Sequence, residues 1–146
     1  MAIGADVRTY LLTKSAVTTV VGTRIYPGFV PQKISTYPLV VYSVVSSIAK
    51  DLLTGGAGWA ETRIQLDVYA TTAVARDSLV EILRDELQGF PTTSSKTMGS
   101  STVTAVVYLN SLDLYEPPQD NSDTGLFRNS TDYWFRHSQA VPTYAA

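Results

Sequence analysis

Between Ala60 and Ala70 the chain reads AETRIQLDVYA. In an extended strand successive side chains point to opposite faces, so Ile64, Leu66, Val68 and Ala70 share one face and Arg63, Gln65, Asp67 and Tyr69 the other. The strict alternation predicts a half-buried strand whose apolar face needs a cover. That cover follows at once in the sequence. Thr71-Thr72 offers an N-cap, and Ala75, Leu79, Ile82, Leu83 and Leu87 then recur at helical spacing from Ala73 to about Gln88, where Gly89 and Pro91 end the pattern. Burying the four large side chains of that stripe contributes about 6–12 kcal/mol gross, before the entropy of ordering is set against it. A one-faced strand followed by a one-faced helix predicts a two-layer domain.

The rest of the chain fits the same plan. Val7, Tyr10 and Leu11, then Val17, Val20 and Val21, predict a helix, a break and a short helix that Ser15 caps and Gly22 ends. Arg24-Ile25-Tyr26 is a short strand entering a turn at Pro27-Gly28, and PLVVYSVVS (38–46) is a strand rich in β-branched residues. Residues 47–58, which contain GGAG, read as a long connection, and PTTSSKTMGSS (91–101) as a polar loop or hairpin tip. A strand lies within 102–115, with a second alternation at Leu112 and Leu114, and a last one runs from Leu126 to Arg136 after the turn-rich PPQDNSDTG (117–125). The expected fold is α+β: a mostly antiparallel sheet with two main helices packed on one face.

Composition removes several functions. At 146 residues the chain makes one domain with a sizeable core. It has no cysteine, which excludes a disulfide scaffold, a thiol nucleophile and a thiolate metal site. A net charge of −2 offers no electrostatic footprint for tight nucleic-acid binding. No apolar run approaches the roughly 20 residues that span a bilayer, and the chain opens without a signal-peptide pattern, so the expectation is a soluble protein made in a cytoplasm. His137, the single histidine, stands near the end of the chain and reads as a surface residue. The carboxylates are scattered, no GxSxG elbow is present, and Gly55-Gly56-Ala57-Gly58 precedes a strand without the Lys-Ser/Thr of a phosphate loop. Asn129-Ser130-Thr131 matches a glycosylation acceptor by accident. No catalytic, cofactor or metal constellation emerges. Nine tyrosines with Trp59 and Trp134 form a large supply of side chains suited both to cores and to interfaces.

Several stretches together resemble a family of phage proteins, the tail completion or tail terminator (tail-to-head joining) proteins of long-tailed phages. The resemblance runs through ADVRTYLL (5–12), VVGTRIYP (20–27), YPLVVY (37–42), AETRIQLDVYA (60–70) with its helix, LDLYE (112–116) and GLFR (125–128). It covers about residues 3–137, with 138–146 as a C-terminal tail, and the lengthened 117–125 loop departs from the pattern. It implies a structural virion protein and no enzyme: a subunit of a ring, usually hexameric, at the head-proximal end of the tail. Its implied partners are the tail tube protein and the head connector or head-closure protein. DNA only passes through the lumen, no membrane is involved, and assembly takes place in the host cytoplasm. A head-closure or connector ring of the neck is the alternative within the same class, and a small ligand-binding domain the alternative outside it. A head-to-tail ring needs two different complementary patches on each subunit, and Arg63, Gln65, Asp67 and Tyr69 are the candidate interface for one of them.

Overall fold

The computed structural model describes residues 3–32, 34, 36–52, 55–91, 96–117 and 125–140, with the backbone alone at 51, 52, 55 and 57. In chain order the elements are α1 (Ile3–Leu12), α2 (Ser15–Val21), β1 (Ile25–Pro27), β2 (Leu39–Leu52), β3 (Gly55–Ala70), α3 (Ala73–Leu87), β4 (Thr97–Met98), β5 (Ser101–Glu116) and β6 (Leu126–Ser138). The strands form one six-stranded sheet in the order β1-β2-β3-β6-β5-β4. β1 runs parallel to β2, and the other neighbours are antiparallel, so the α+β fold rests on a mixed sheet. The parallel pair arises because residues 28–38 carry the chain back to the same end of the sheet. Three helices cover one face of the sheet, α1 and α3 as the two main ones and α2 as the short one that the sequence also predicts.

Ile64, Leu66, Val68 and Ala70 are each at most 1% exposed, as the alternation requires. One cluster joins Ile64, Leu66 and Val68 to Leu79, Leu83 and Leu87 of α3, to Val7 and Leu11 of α1, and to Val17 and Val21 of α2. All three helices therefore share the sheet face that these β3 residues present. Ile82 and Tyr10 pack at the margin of the cluster. Thr72 caps α3 as expected, its Oγ1 accepting from the Ala75 N–H at 3.1 Å. Ser15 does not cap α2; it is the first helical residue, Lys14 stands at the cap without a side-chain bond, and Gly22 ends the helix at φ 60°. That left-handed turn is one that glycine enters without steric cost.

The structure corrects the expected loops. Residues 47–58 are not a long connection: β2 continues to Leu52 and β3 starts at Gly55, with Asp51 opposite Gly56 and Leu52 opposite Gly55. Glycine weakens a strand without forbidding it, and pairing between the hairpin arms holds the segment extended. Residues 91–101, expected as a polar loop or hairpin tip, do hold a hairpin turn at Gly99–Ser100, but β4 leads into it with Met98 fully buried and the start of β5 as its partner, and residues 92–95 lie outside the described residues. The two apolar patterns in 102–115 belong to a single long strand. Of the 117–125 loop, residues 118–124 lie outside the described residues, as do 141–146 of the expected tail.

Replacing Leu66 by alanine should cost about 2–5 kcal/mol, because a fully enclosed side chain leaves a cavity that its neighbours fill only in part. Urea denaturation of the two proteins, with an unchanged slope and a lowered midpoint for Leu66→Ala, is the measurement.

Candidate interaction site

The four polar residues of the opening alternation lie on the sheet face away from the helices. β3 is an interior strand, and β6 beside it sets Trp134, Asp132, Ser130 and Arg128 directly opposite Arg63, Gln65, Asp67 and Tyr69. The contacts between these sets run diagonally across the pair, within reach of long side chains. Arg63 Nε donates to Asp132 Oδ2 at 2.8 Å, and a second nitrogen of its guanidinium bonds the same oxygen. Gln65 Nε2 donates to Ser130 Oγ, and an Arg128 guanidinium nitrogen donates to Asp67 Oδ2 at 3.0 Å. The Arg128 guanidinium also lies 5.4 Å from the centre of the Tyr69 ring and 3.5 Å from Glu116. Burial pushes the Tyr69 phenol above its ordinary pKa against the opposing pull of Arg128. Each candidate side chain thus has a partner within the chain, and Asp67 is only 6% exposed.

A second polar cluster sits on the helix-covered face. Asn129 is buried and its amide donates to Ser111 Oγ at 2.8 Å and Asp113 Oδ1 at 2.7 Å, with Thr131 bonded to both Asn129 and Ser111. A buried, fully engaged asparagine is no glycan acceptor, in keeping with the sequence reading. Arg76 of α3 reaches Asp113 at 3.6 Å and so ties the helix to this cluster.

His137 is the clearest departure from expectation. It is 2% exposed within β6, not a surface residue. Its Nε2 lies 2.7 Å from Thr62 Oγ1, Thr62 lies 2.9 Å from Ser47 Oγ, and its Nδ1 lies 2.9 Å from the Ser138 carbonyl. An Nδ1–H donating to that carbonyl leaves Nε2 to accept from Thr62. Sequence position alone missed this, because β6 extends two residues past Arg136 and the alternation puts 137 on the covered side with Tyr133 and Phe135.

Asp6, at the start of the chain, is likewise enclosed. Its carboxylate accepts from the Ser100 N–H at 3.1 Å and from the hydroxyls of Ser100 and Ser101. Burial alone raises its pKa, but the Ser101 and Ser100 hydrogen bonds hold the carboxyl below its ordinary value of 3.8. These groups bond to one another and to the backbone. Among the described residues no three His, Cys, Asp or Glu side chains are placed to hold a metal ion.

Exposed apolar side chains lie elsewhere. Val44, Val45 and Ile48 are 51–56% exposed on β2, and Val107, Leu109 and Leu112 are 42–57% exposed on β5. The periodicity of β5 carried a signal in Leu109 and Leu112, while Val45 and Ile48 fell at the margin of what read as a connection.

The model of one protein family, described as tail completion protein gp17, matches residues 5–128. The chain belongs to the tail completion protein gp17 family. It is a structural component of a phage tail, in agreement with the resemblance noted in the sequence. A chain from a structure titled "Virion of native gene transfer agent (GTA) particle" has the same fold, with a TM-score of 0.63 and 16% identity over 92% of this chain and 93% of that one. No curated protein matches the sequence. Among the described residues no helix is long and apolar enough to cross a membrane.

Substitutions at Arg128 and at Asp6 check the two polar clusters to which they belong. Arg128→Ala should cost about 1–3 kcal/mol, since it leaves the enclosed Asp67 carboxylate without its charged donor. Arg128→Lys should recover only part of that loss, and urea midpoints read both. Asp6→Asn should lower the melting temperature at neutral pH. Because the folded Asp6 has a depressed pKa, its contribution is present above the unfolded value and disappears as pH falls through the folded one. Thermal melts between neutral pH and about pH 3 should therefore show a shallower acid loss for Asp6→Asn than for the parent.

Proposed function

We propose that the protein caps the head-proximal end of a phage tail tube, ending tube growth and presenting a surface to the head connector. The observation that carries this reading is the family match over residues 5–128, nearly the whole chain. In this reading the subunits assemble as a ring, a hexamer by resemblance, that contacts the tube protein on one side and the connector or head-closure protein on the other. Each subunit must then copy enough of a tube subunit's contacts to bind the tube end while refusing the next subunit. Repetition around a ring multiplies weak contacts, so an assembled ring holds a tube end that one subunit binds poorly. The balance of 11 basic and 13 acidic residues suits a conduit through which DNA passes without being retained. Arg63, Gln65, Asp67 and Tyr69 keep a role as an interface patch in this reading. The rungs they form with β6 hold them in fixed positions, which reduces the entropy lost when a partner docks.

Electron microscopy of lysates from phage lacking the gene tests the proposal. The expected picture is filled heads beside unjoined tails of uncontrolled length, corrected when the protein is supplied separately. Mutant tails of normal length attached to filled heads would overturn it. Tails of normal length that fail to join heads would instead favour the head-closure or connector role.

A further inference from the structure

A strand at the edge of a sheet presents unpaired N–H and C=O groups, and soluble proteins blunt such edges with lysine, proline or a covering element. Among the described residues, both long edges of this sheet run without a covering strand over much of their length. β1 pairs with β2 only at Val40, Val41 and Tyr42; from Ser43 onward β2 has β3 on one side and no other strand among the described residues. On the far side, β4 pairs with β5 only at Ser101 and Thr102, and backbone bonds from Lys96 and Phe90 extend the cover to Val106. Beyond that point β5 pairs with β6 alone among the described residues. Neither SVVSSIA (43–49) nor VYLNSLDL (107–114) contains a lysine, arginine or proline, and Lys50 follows the first. Both carry the exposed apolar side chains named above.

We infer that the open edge of β2 pairs with the open edge of β5 in a second copy of the chain, so that the sheet continues from one subunit into the next. The inference rests on the ring reading and supplies its contact. Strand direction supports it. β2, β3, β6 and β5 alternate in direction, so β2 and β5 run opposite ways. A copy in the same orientation, displaced along the strands so that its β5 clears β1, therefore sets β5 against the open half of β2 as an antiparallel ladder, with the helices on the same side of both sheets. A strand from an unrelated protein would satisfy one edge and leave the other open, whereas a copy of this chain answers both.

Both edges also carry a bulge. The β2–β3 register shifts between Val44 and Ser46, and the β5–β6 register shifts between Tyr108 and Asn110. Val45 and Leu109 are the extra residues, and both are exposed. A bulge bends its strand and sharpens the local twist, so only a limited register fits. A head-to-tail contact with a fixed bend can close on itself, while a flat one runs on as a fibre.

The cysteine-free sequence makes disulfide trapping clean. Single cysteines placed at Val44, Val45 or Ile48 are each mixed with single cysteines at Val107, Leu109 or Leu112 in the full chain, then oxidised. Doubly substituted chains and single variants alone are run beside them, and the mass of the unsubstituted protein in solution is measured over a wide concentration range. The expected result is a linked dimer from at least one β2–β5 mixture, little or none from any variant alone, and a ladder ending at the ring size from the matching double variant. Linked dimers from β2 or β5 variants alone, without mixed products, would overturn the inference, because each edge would then meet its own copy. A ring mass with no mixed cross-link at any position would overturn the edge contact and leave the ring intact. A protein that stays monomeric throughout, with no cross-link, would overturn both.

Discussion

The pairing of β3 with β6 is the constraint on which the rest of the structure depends. Twelve successive residue pairs, from Trp59 with Ser138 to Ala70 with Phe127, join segments more than fifty positions apart in sequence. Their shared register decides everything on either face. On one side it aligns Ile64 with Tyr133 and fixes the floor on which the helices pack. On the other it places Arg63, Gln65 and Asp67 one diagonal step from Asp132, Ser130 and Arg128. A slip of one residue would turn the apolar set outward and bury the charges. The polar rungs therefore act together with the core as a check on register: only one alignment satisfies both.

That double role clarifies the second face of the opening strand. Its charged side chains bond to the neighbouring strand β6. They are paired, partly enclosed and held at fixed spacing, which costs desolvation and gives specificity in return. Exposed apolar side chains lie at the sheet edges, away from these rungs. The molecule separates a polar ladder on the face without helices, which sets its own alignment, from apolar borders that have no further strand beside them among the described residues.

The central layer was legible in the sequence because its signals are local. Alternation at 60–70 and the helical stripe at 79, 83 and 87 each report their own element, and Thr72 and Gly22 mark helix ends within one turn. What was not legible depends on partners distant in sequence. The glycines at 55 and 56 look like a turn until Asp51 and Leu52 pair with them. Met98 looks like part of a polar tip until β5 folds back over it. His137 looks terminal until β3 is drawn alongside β6. The candidate residues Arg63, Gln65, Asp67 and Tyr69 were correctly placed on one face, yet nothing local announced Asp132, Ser130 and Arg128 as their partners. The open edges were hidden for the same reason: whether a strand has one neighbour or two is a property of the whole sheet.

The bond between Asp6 and the turn at Gly99–Ser100 has a consequence for how such sequences can diverge. Gly99 stands at φ 56°, and a Cβ placed there would come within 2.5 Å of Asp6 Oδ1 and 3.0 Å of Asp6 Cα. A side chain at 99 is thus opposed twice, by the backbone angle and by the carboxylate. Shortening residue 6 to make room would take away the acceptor that Ser100 and Ser101 both use. Neither position has an easy single step away from its present residue. What position 99 can hold thus depends on the residue at position 6, although most of the chain separates the two.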